Sequence, residues 1–356
     1  MERVKIQDLC TFLPKSKIKA GEGLEKGDYI FFTSSDIKTL KLNNYLFDDE
    51  ALILGTGGKP SCNYYKGKFA VSTDNFVLTS DKVKIKYLYY FLRHNNLYIL
   101  ENGFHGAGLK HISKDYVNDI VVPIVDDNTQ DLIIDNLDSI NQNIQFCKSQ
   151  LIKYDEIVKS QFIEMFGDVL SNTKNFEMCC FGDYVNQMNI GPFGSDLKNE
   201  DFVPEEDGYC MVYEQKHAIQ KNMALECRYV DELKYNKLKR FDIGPGDIIV
   251  SCRGTIGECF VLPNDAPNGI IHPSLMMIKP KNIVNNRFLV FLLEHILEEQ
   301  TEQGSGVKMA IKATELSKIK TIKPERNLQD QFINFVQQID KSKFNIFFSL
   351  FYLIIN

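Results

Sequence analysis

The chain has 356 residues, which is enough for about two domains. An apolar fraction of 44% and a charged fraction of 25% exclude a largely disordered chain. The net charge of −6 excludes a uniformly basic nucleic-acid binder but not a local basic patch. The sequence has neither an apolar run long enough to span a membrane nor the apolar core of a secretory signal, so we expect a cytoplasmic protein without a membrane partner.

The sequence also lacks the usual signatures of metal sites and catalysis. Its nine cysteines include no Cys-x-x-Cys pair, so we expect reduced thiols and no metal site. No Gly-x-Ser-x-Gly elbow, Walker loop or His-Glu-x-x-His is present. An Asn-Pro-Pro-aromatic sequence, typical of adenine methyltransferases, is missing too. We therefore predict a protein that is not an enzyme and has no catalytic residues.

The first part of the chain contains three recognisable segments of predicted secondary structure, which we call landmarks. A short apolar strand runs into a Gly-rich turn at 51–62, ALILGTGGKPSC. A strand-like run then leads to an apolar helix at 69–93. A Gly-rich loop, a short helix, a strand ending in Pro and a polar helix start follow at 105–133. The mixture predicts an α/β domain over residues 1–126.

A long helix is predicted next, over residues 127–168. Its apolar residues are spaced alternately four and three apart, which is the seam of a coiled coil. Its helical part, from about Asn128 to Phe166, would be about 57 Å long at 1.5 Å per residue, and Gly167 is a typical stop signal. The predicted interface residues are Ile133, Leu137, Ile140, Ile144, Leu151 and Val158.

The same three landmarks recur about 200 residues later, at 247–259, 269–293 and 304–333. They predict a second domain over 174–326 and a second helix over 327–356. The seam of that helix includes Leu328, Phe332, Phe335 and Ile339. Three landmarks in the same order indicate a duplicated domain; the alternative is two unrelated α/β domains built from common strand-turn-helix units. The predicted fold class is mixed α/β, with two similar domains separated by an antiparallel pair of long helices.

Several motifs give the chain its resemblance to a known family. They are SQFIEMFGD at 160–168, GPFGSDLK at 191–198, DIIVSCRGTIGEC at 247–259 and GSGVKMAIKATEL at 304–316. With the duplication and the two helices, this set resembles the DNA-specificity subunit of type I restriction-modification systems over about residues 3–343. Two departures stand out. The first copy has KSKIKAGEG at 15–23 in place of the GPFGS loop, and the last helix is shorter with an apolar end.

The resemblance implies two target-recognition domains that bind double-stranded DNA with a bipartite, asymmetric sequence. The helix length would fix the spacer between the half-sites. The family's partners are two methyltransferase subunits and restriction subunits. The resemblance places S-adenosylmethionine, ATP and Mg²⁺ in those partners and implies no cofactor in this chain.

The candidate DNA contacts are polar residues in the Gly-rich turns and Lys-rich loops, because phosphates and base edges are bound by such side chains. The alternative is that these turns only connect strands, with their charges in water. In the first copy the candidates are Lys15, Lys17, Lys19, Thr56, Lys59, Ser61, Lys110 and His111. In the second copy they are Ser195, Lys198, Arg253, Thr255, Lys308 and Lys312.

Two other functional hypotheses stay open at this point. One is a nuclease or methyltransferase with an unrecognised motif. The other is a truncated or silent variant of a specificity subunit, which the apolar end after Lys343 suggests.

Overall fold

The computed structural model describes residues 2–35, 39–95, 98–302 and 312–355. It divides into two compact units, residues 1–146 and 147–356. Each unit has its own hydrophobic core.

The first unit is a six-stranded sheet with helices packed on one face. Its helices are α1 (Ile6–Leu9), α2 (Ile85–His94) and α3 (Lys114–Asp119). Its strands are β1 (Glu2–Lys5), β2 (Thr11–Phe12), β3 (Tyr29–Phe32), β4 (Leu40–Leu42), β5 (Phe47–Gly55), β6 (Ser61–Val71), β7 (Asn75–Thr79), β8 (Phe104–His105), β9 (His111–Ile112) and β10 (Val121–Ile124). The sheet has the order β2-β7-β5-β6-β3-β4 and is antiparallel except for the pair β3–β6. Strand β1 pairs with β10 apart from this sheet.

The apolar run predicted as a strand at 51–55 is the centre of this sheet. Because side chains alternate between the faces of a strand, Leu52 and Leu54 join the core beneath α2, while Ala51 and Ile53 join a second cluster on the other face. All four are at most 1% exposed. The run has no polar alternation because it is buried on both faces.

A long helix, α4 (Asp127–Phe166), starts in the first unit and ends in the second. Asp126 caps its start, since the Asp126 carboxylate accepts the Thr129 N–H at 3.0 Å. Gly167 ends it in the left-handed region at φ 68°, as the sequence predicts.

The second unit repeats the arrangement of the first. Its helices are α5 (Gln215–Gln220), α6 (Glu232–Leu238), α7 (Asn286–Glu302), α8 (Ala313–Leu316) and α9 (Arg326–Ile355). Its strands are β11 (Met178–Cys180), β12 (Val185–Ile190), β13 (Phe202–Val203), β14 (Cys210–Tyr213), β15 (Arg228–Val230), β16 (Asp242–Ile243), β17 (Ile248–Ser251), β18 (Cys259–Val261), β19 (Gly269–Ile271), β20 (Leu275–Pro280) and β21 (Lys320–Ile322).

Strand pairing shows the duplication directly. The order β2-β7-β5-β6 of the first unit corresponds to β12-β20-β17-β18 of the second. The parallel pair β3–β6 corresponds to β14–β19. The single strand β6 is therefore replaced by two strands, β18 and β19, and the second unit has two sheets where the first has one. Both copies end with a short helix, a strand and the start of a long helix.

A buried glutamine occupies the same place in both units. The Gln130 side-chain oxygen accepts the Lys84 N–H at 3.0 Å, and its nitrogen donates to the Val125 carbonyl at 2.8 Å. The Gln329 side chain makes the equivalent bonds to the Asn285 N–H at 2.8 Å and the Pro324 carbonyl at 2.9 Å. Each glutamine is 1% exposed and joins the start of a long helix to the helix that packs on the sheet.

Within the second unit, α9 runs antiparallel to the last part of α4. The Phe332 ring lies 5.4 Å from Phe162 and 5.6 Å from Phe166, and eleven residues further along α9 Lys343 pairs with Asp155. Residues later in α9 therefore lie beside residues earlier in α4, so the two helices are antiparallel. The predicted seam residues Val158, Leu328, Phe332, Phe335 and Ile339 belong to or pack against the core here.

The predicted seam of α4 differs in detail from the observed packing. Ile133 packs against the core of the first unit, while Leu137, Ile140, Ile144 and Leu151 are half-buried. Phe162 and Phe166 are 3% and 0% exposed, and the predicted seam missed both. Their rings form a cluster with Phe288, Phe291 and Phe332, with neighbouring centroids 4.9–6.4 Å apart. Aromatic packing, rather than heptad spacing alone, fixes this end of α4.

The last turns of α9 expose a row of aromatic side chains: Phe344, Phe347, Phe348 and Phe351 are 58–70% exposed. Even so, none of the helices in the described ranges is apolar over enough of its length to cross a bilayer.

Candidate DNA interface

Three loops of the first unit meet beside the Gly-rich turn that follows β5. The Thr56 N–H donates to the Asp74 carbonyl at 2.9 Å, and the Thr56 carbonyl accepts the Ile112 N–H at 3.1 Å. The Gly58 N–H donates to the Lys110 carbonyl at 2.9 Å, and the His111 ring nitrogen Nδ1 lies 3.2 Å from the Thr56 carbonyl. The structure thus brings Thr56, Lys110 and His111 together, with Lys59 exposed in the same turn.

The lysine-rich segment of the first unit lies against the β6–β7 turn. The Thr73 N–H donates to the Ile18 carbonyl at 2.8 Å, and the neighbouring Asp74 carbonyl is the one that holds Thr56. Lys15, Lys17 and Lys19 are exposed, whereas Ser16 is buried and Ile18 is half-buried. Among the described residues no carboxylate forms an ion pair with the ammonium groups of these three lysines, Lys59 or Lys110. We call the surface formed by these five lysines, Thr56 and His111 the lysine platform.

Ser61 does not belong to this surface. It is 4% exposed and faces Gly55 across the β5–β6 pair, where a Cβ on Gly55 would lie 2.3 Å from the Ser61 Oγ. The alternation of β6 directs this side chain inward, so Ser61 is a packing residue and not a candidate DNA contact.

In the second unit, the GPFGSDLK segment packs on the chain between β19 and β20. The Gly191 N–H donates to the Leu275 carbonyl at 2.8 Å. A Cβ on Gly191 would lie 2.3 Å from the His272 carbonyl oxygen, so only glycine fits there. Ser195 and Lys198 are exposed, and the Lys198 ammonium lies 3.3 Å from Glu200.

The turn after β17 meets the same stretch of chain. The Cys252 N–H donates to the Ser274 carbonyl at 2.9 Å, and the Ser251 hydroxyl accepts the Glu258 N–H at 3.0 Å. Gly254 and Gly257 have φ of 62° and 91°. The turn presents Arg253 and Thr255 outward, and both are exposed.

Four residues that were not among the predicted DNA contacts lie beside Arg253. Glu214 and Gln215 follow β14, Arg228 lies in β15, and His272 follows β19. The Gln215 side-chain nitrogen donates to the Arg253 carbonyl, and Arg228 pairs with Glu214. We call these four residues and Arg253 the arginine cluster. Their signal in the sequence is only that each polar residue adjoins or begins a strand.

Within the arginine cluster, the surroundings of Glu214 and His272 determine whether each side chain is charged. Burial raises the pKa of the Glu214 carboxyl, but hydrogen bonds from Arg228 and Lys216 outweigh it, so the net pKa is lowered and Glu214 is ionised. Burial lowers the pKa of His272, assisted by the positive charges of Arg228 and Arg253. The His272 Nδ1 accepts the Ser274 N–H at 3.2 Å, which leaves the proton of the neutral ring on Nε2.

The last two candidates of the second copy are not part of the arginine cluster. Lys308 lies outside the described residues. Lys312 precedes α8 and pairs with Glu315 at 2.9 Å, so its charge is already engaged. In the parts of the chain that the structure covers, no group of three or more His, Cys, Asp or Glu side chains is arranged to hold a metal ion.

Comparison with protein families identifies the duplicated unit. The family model described as the type I restriction modification DNA specificity domain matches residues 1–154 and again residues 204–346. The chain belongs to this family. The two matches fall on the two units, so the resemblance in the sequence is confirmed.

A curated relative and two solved structures are similar to the chain. The specificity subunit of the type I restriction enzyme EcoDI from Escherichia coli is 31% identical over 147 residues, which are 41% of this chain and 33% of that subunit. The S subunit of a type I restriction-modification system from M. genitalium has 15% identity and a TM-score of 0.59, covering 99% of this chain and 93% of its own.

The second structure comes from work on the assembly and conformational transition of a type I R-M system. It has 12% identity and a TM-score of 0.56, and the match covers 99% of this chain and 94% of that chain. At this identity both structures support the fold alone. The sequence match spans only a third of the curated relative.

Proposed function

We propose that the chain is the DNA-recognition subunit of a type I restriction-modification complex, with each unit binding one half of a bipartite target. The observation that carries this proposal is the duplicated surface. In both units the Gly-rich turn after the equivalent strand (β5 or β17) meets the turn that precedes β7 or β20. Exposed cations lie at the junction, Lys59 and Lys110 in the first unit and Arg253 in the second. Backbone amides and cations bind phosphates, and fixed side chains discriminate bases.

The two surfaces differ in chemistry, which supports an asymmetric target. The lysine platform presents point charges that suit phosphates. The arginine cluster carries guanidinium groups, whose paired donors suit purine edges in the major groove. The two half-sites should therefore have different sequences.

The partners in this proposal are methyltransferase and restriction subunits. Two methyltransferase subunits would supply S-adenosylmethionine chemistry on adenine, and the restriction subunits would use ATP and Mg²⁺. The catalytic groups would belong to those subunits, and this chain would contribute recognition in the cytoplasm. Family membership and the long helices α4 and α9 support this role.

Selection from a random duplex pool tests the DNA-binding part of the proposal. The purified full chain, alone and with the co-expressed methyltransferase subunit, is incubated with the pool, and the bound DNA is sequenced. We expect one motif with two defined segments and a gap of constant length. Affinity should fall steeply with salt because phosphate contacts release counterions. Enrichment of no sequence by either preparation would contradict the proposal.

A further inference from the structure

Arg253 differs from every other arginine of the second unit. Arg228 pairs with Glu214, Arg287 lies 2.7 Å from Asp340, and Arg326 lies 3.0 Å from Asp330. Arg240 lies over the Phe241 ring at 4.6 Å. The Arg253 guanidinium is exposed and has no hydrogen-bond or ion-pair partner among the described residues. An arginine fork without an internal partner is available to a ligand.

The backbone beneath Arg253 is held from two sides. The Gln215 side chain donates to the Arg253 carbonyl, and the Cys252 N–H donates to the Ser274 carbonyl at 2.9 Å. Gly254, at φ 62°, takes the turn through a conformation that side chains disfavour. The exposed side chain therefore projects from a fixed base, which a specific contact requires.

The surroundings of Arg253 favour a nucleic acid as the ligand. The Glu214 charge is compensated by both Arg228 and Lys216, so the cluster has a positive excess. His272 adds a neutral ring with an N–H donor. Positive charge attracts the phosphate backbone, while Arg and His donors match acceptors on base edges.

We propose that Arg253 binds a guanine through its O6 and N7 atoms in the half-site recognised by the second unit, and that Gln215 positions it. This inference rests on the proposed function and specifies the contact that discriminates one base. Guanine is the base whose major-groove edge presents two adjacent acceptors, which match the two donors of a guanidinium.

The test uses the full chain and the duplex enriched from the random pool. Affinity is measured by fluorescence anisotropy for that duplex and for duplexes in which each guanine of one half-site is replaced in turn. For Arg253→Ala we expect a 10- to 100-fold loss on the enriched duplex and no preference for guanine at one position. Arg253→Lys should keep most of the affinity for unrelated DNA but lose much of that preference. Gln215→Ala should weaken the same preference at the same position.

The matched control is Arg240→Ala, which removes an exposed arginine of the same unit. It should leave the guanine preference intact, and thermal unfolding should confirm that all variants are folded. The inference is overturned if Arg253→Ala changes nothing. It is also overturned if that variant lowers the affinity for all sequences equally and reduces the slope of log affinity against log salt concentration by about one. Arg253 would then contact a phosphate. Failure of the unmodified chain to enrich any duplex, alone or with the methyltransferase subunit, would instead contradict the proposed function.

Discussion

Replacing Phe332 with alanine is expected to lower the free energy of unfolding of the second unit by about 3–5 kcal/mol. Phe332 is fully buried, and its ring contacts Phe162, Phe166 and Phe291 with centroids 5.0–5.6 Å apart. The substitution removes a large apolar surface and leaves a cavity between α4, α7 and α9. A domain is stable by only about 5–15 kcal/mol, so the loss is a large fraction of the total.

Urea unfolding followed by circular dichroism measures this effect, since the chain contains no tryptophan for fluorescence. The control is Phe347→Ala on the same helix, because that side chain is 62% exposed. The control should change stability by less than about 0.5 kcal/mol. Equal shifts for the two variants would show that the aromatic cluster does not hold the helices together.

Replacing Gln329 with methionine is expected to destabilise the second unit by about 2–4 kcal/mol, even though methionine has a similar size. The change leaves the Asn285 N–H and the Pro324 carbonyl without the partner that Gln329 supplies. Unpaired buried polar groups cost more than a lost surface hydrogen bond.

The matched control is Gln337→Met, an exposed position on the same helix. Denaturant midpoints of the two variants provide the measurement. In the first unit, Gln130→Met should behave as Gln329→Met does, because Gln130 makes the same two bonds. Identical midpoints for the position 329 and 337 variants would contradict the role assigned to the buried glutamines.

The sequence predicted the elements that depend on local pattern. The apolar run at 51–55 lies in a strand, and the segment with the 3–4 spacing forms the long helix α4, although its seam missed Phe162 and Phe166. The helix stop at Gly167 is equally local. The repeat with a period near 200 residues also revealed the duplication, because two segments of a sequence can be compared without knowing which residues are in contact.

The sequence could not predict the features that depend on strand pairing. Glu214, Arg228 and His272 lie together because β14 pairs with β15 on one side and β19 on the other. Those pairings join residues that are distant in the chain, and the spacing along one strand does not reveal them. Ser61 was wrongly predicted as a DNA contact for the same reason, because the direction of its side chain depends on the register between β5 and β6.

A map of modified adenines tests the central claim most directly. The chain is co-expressed with the methyltransferase subunit of the proposed complex in a host without DNA methylation, and the genome is sequenced by a method that detects modified bases. The proposed function predicts one bipartite motif with two different halves and a gap of constant length. It also predicts that Arg253→Ala relaxes one position in one half only. A stable complex that modifies no adenine, or that modifies adenines without sequence preference, would contradict the claim.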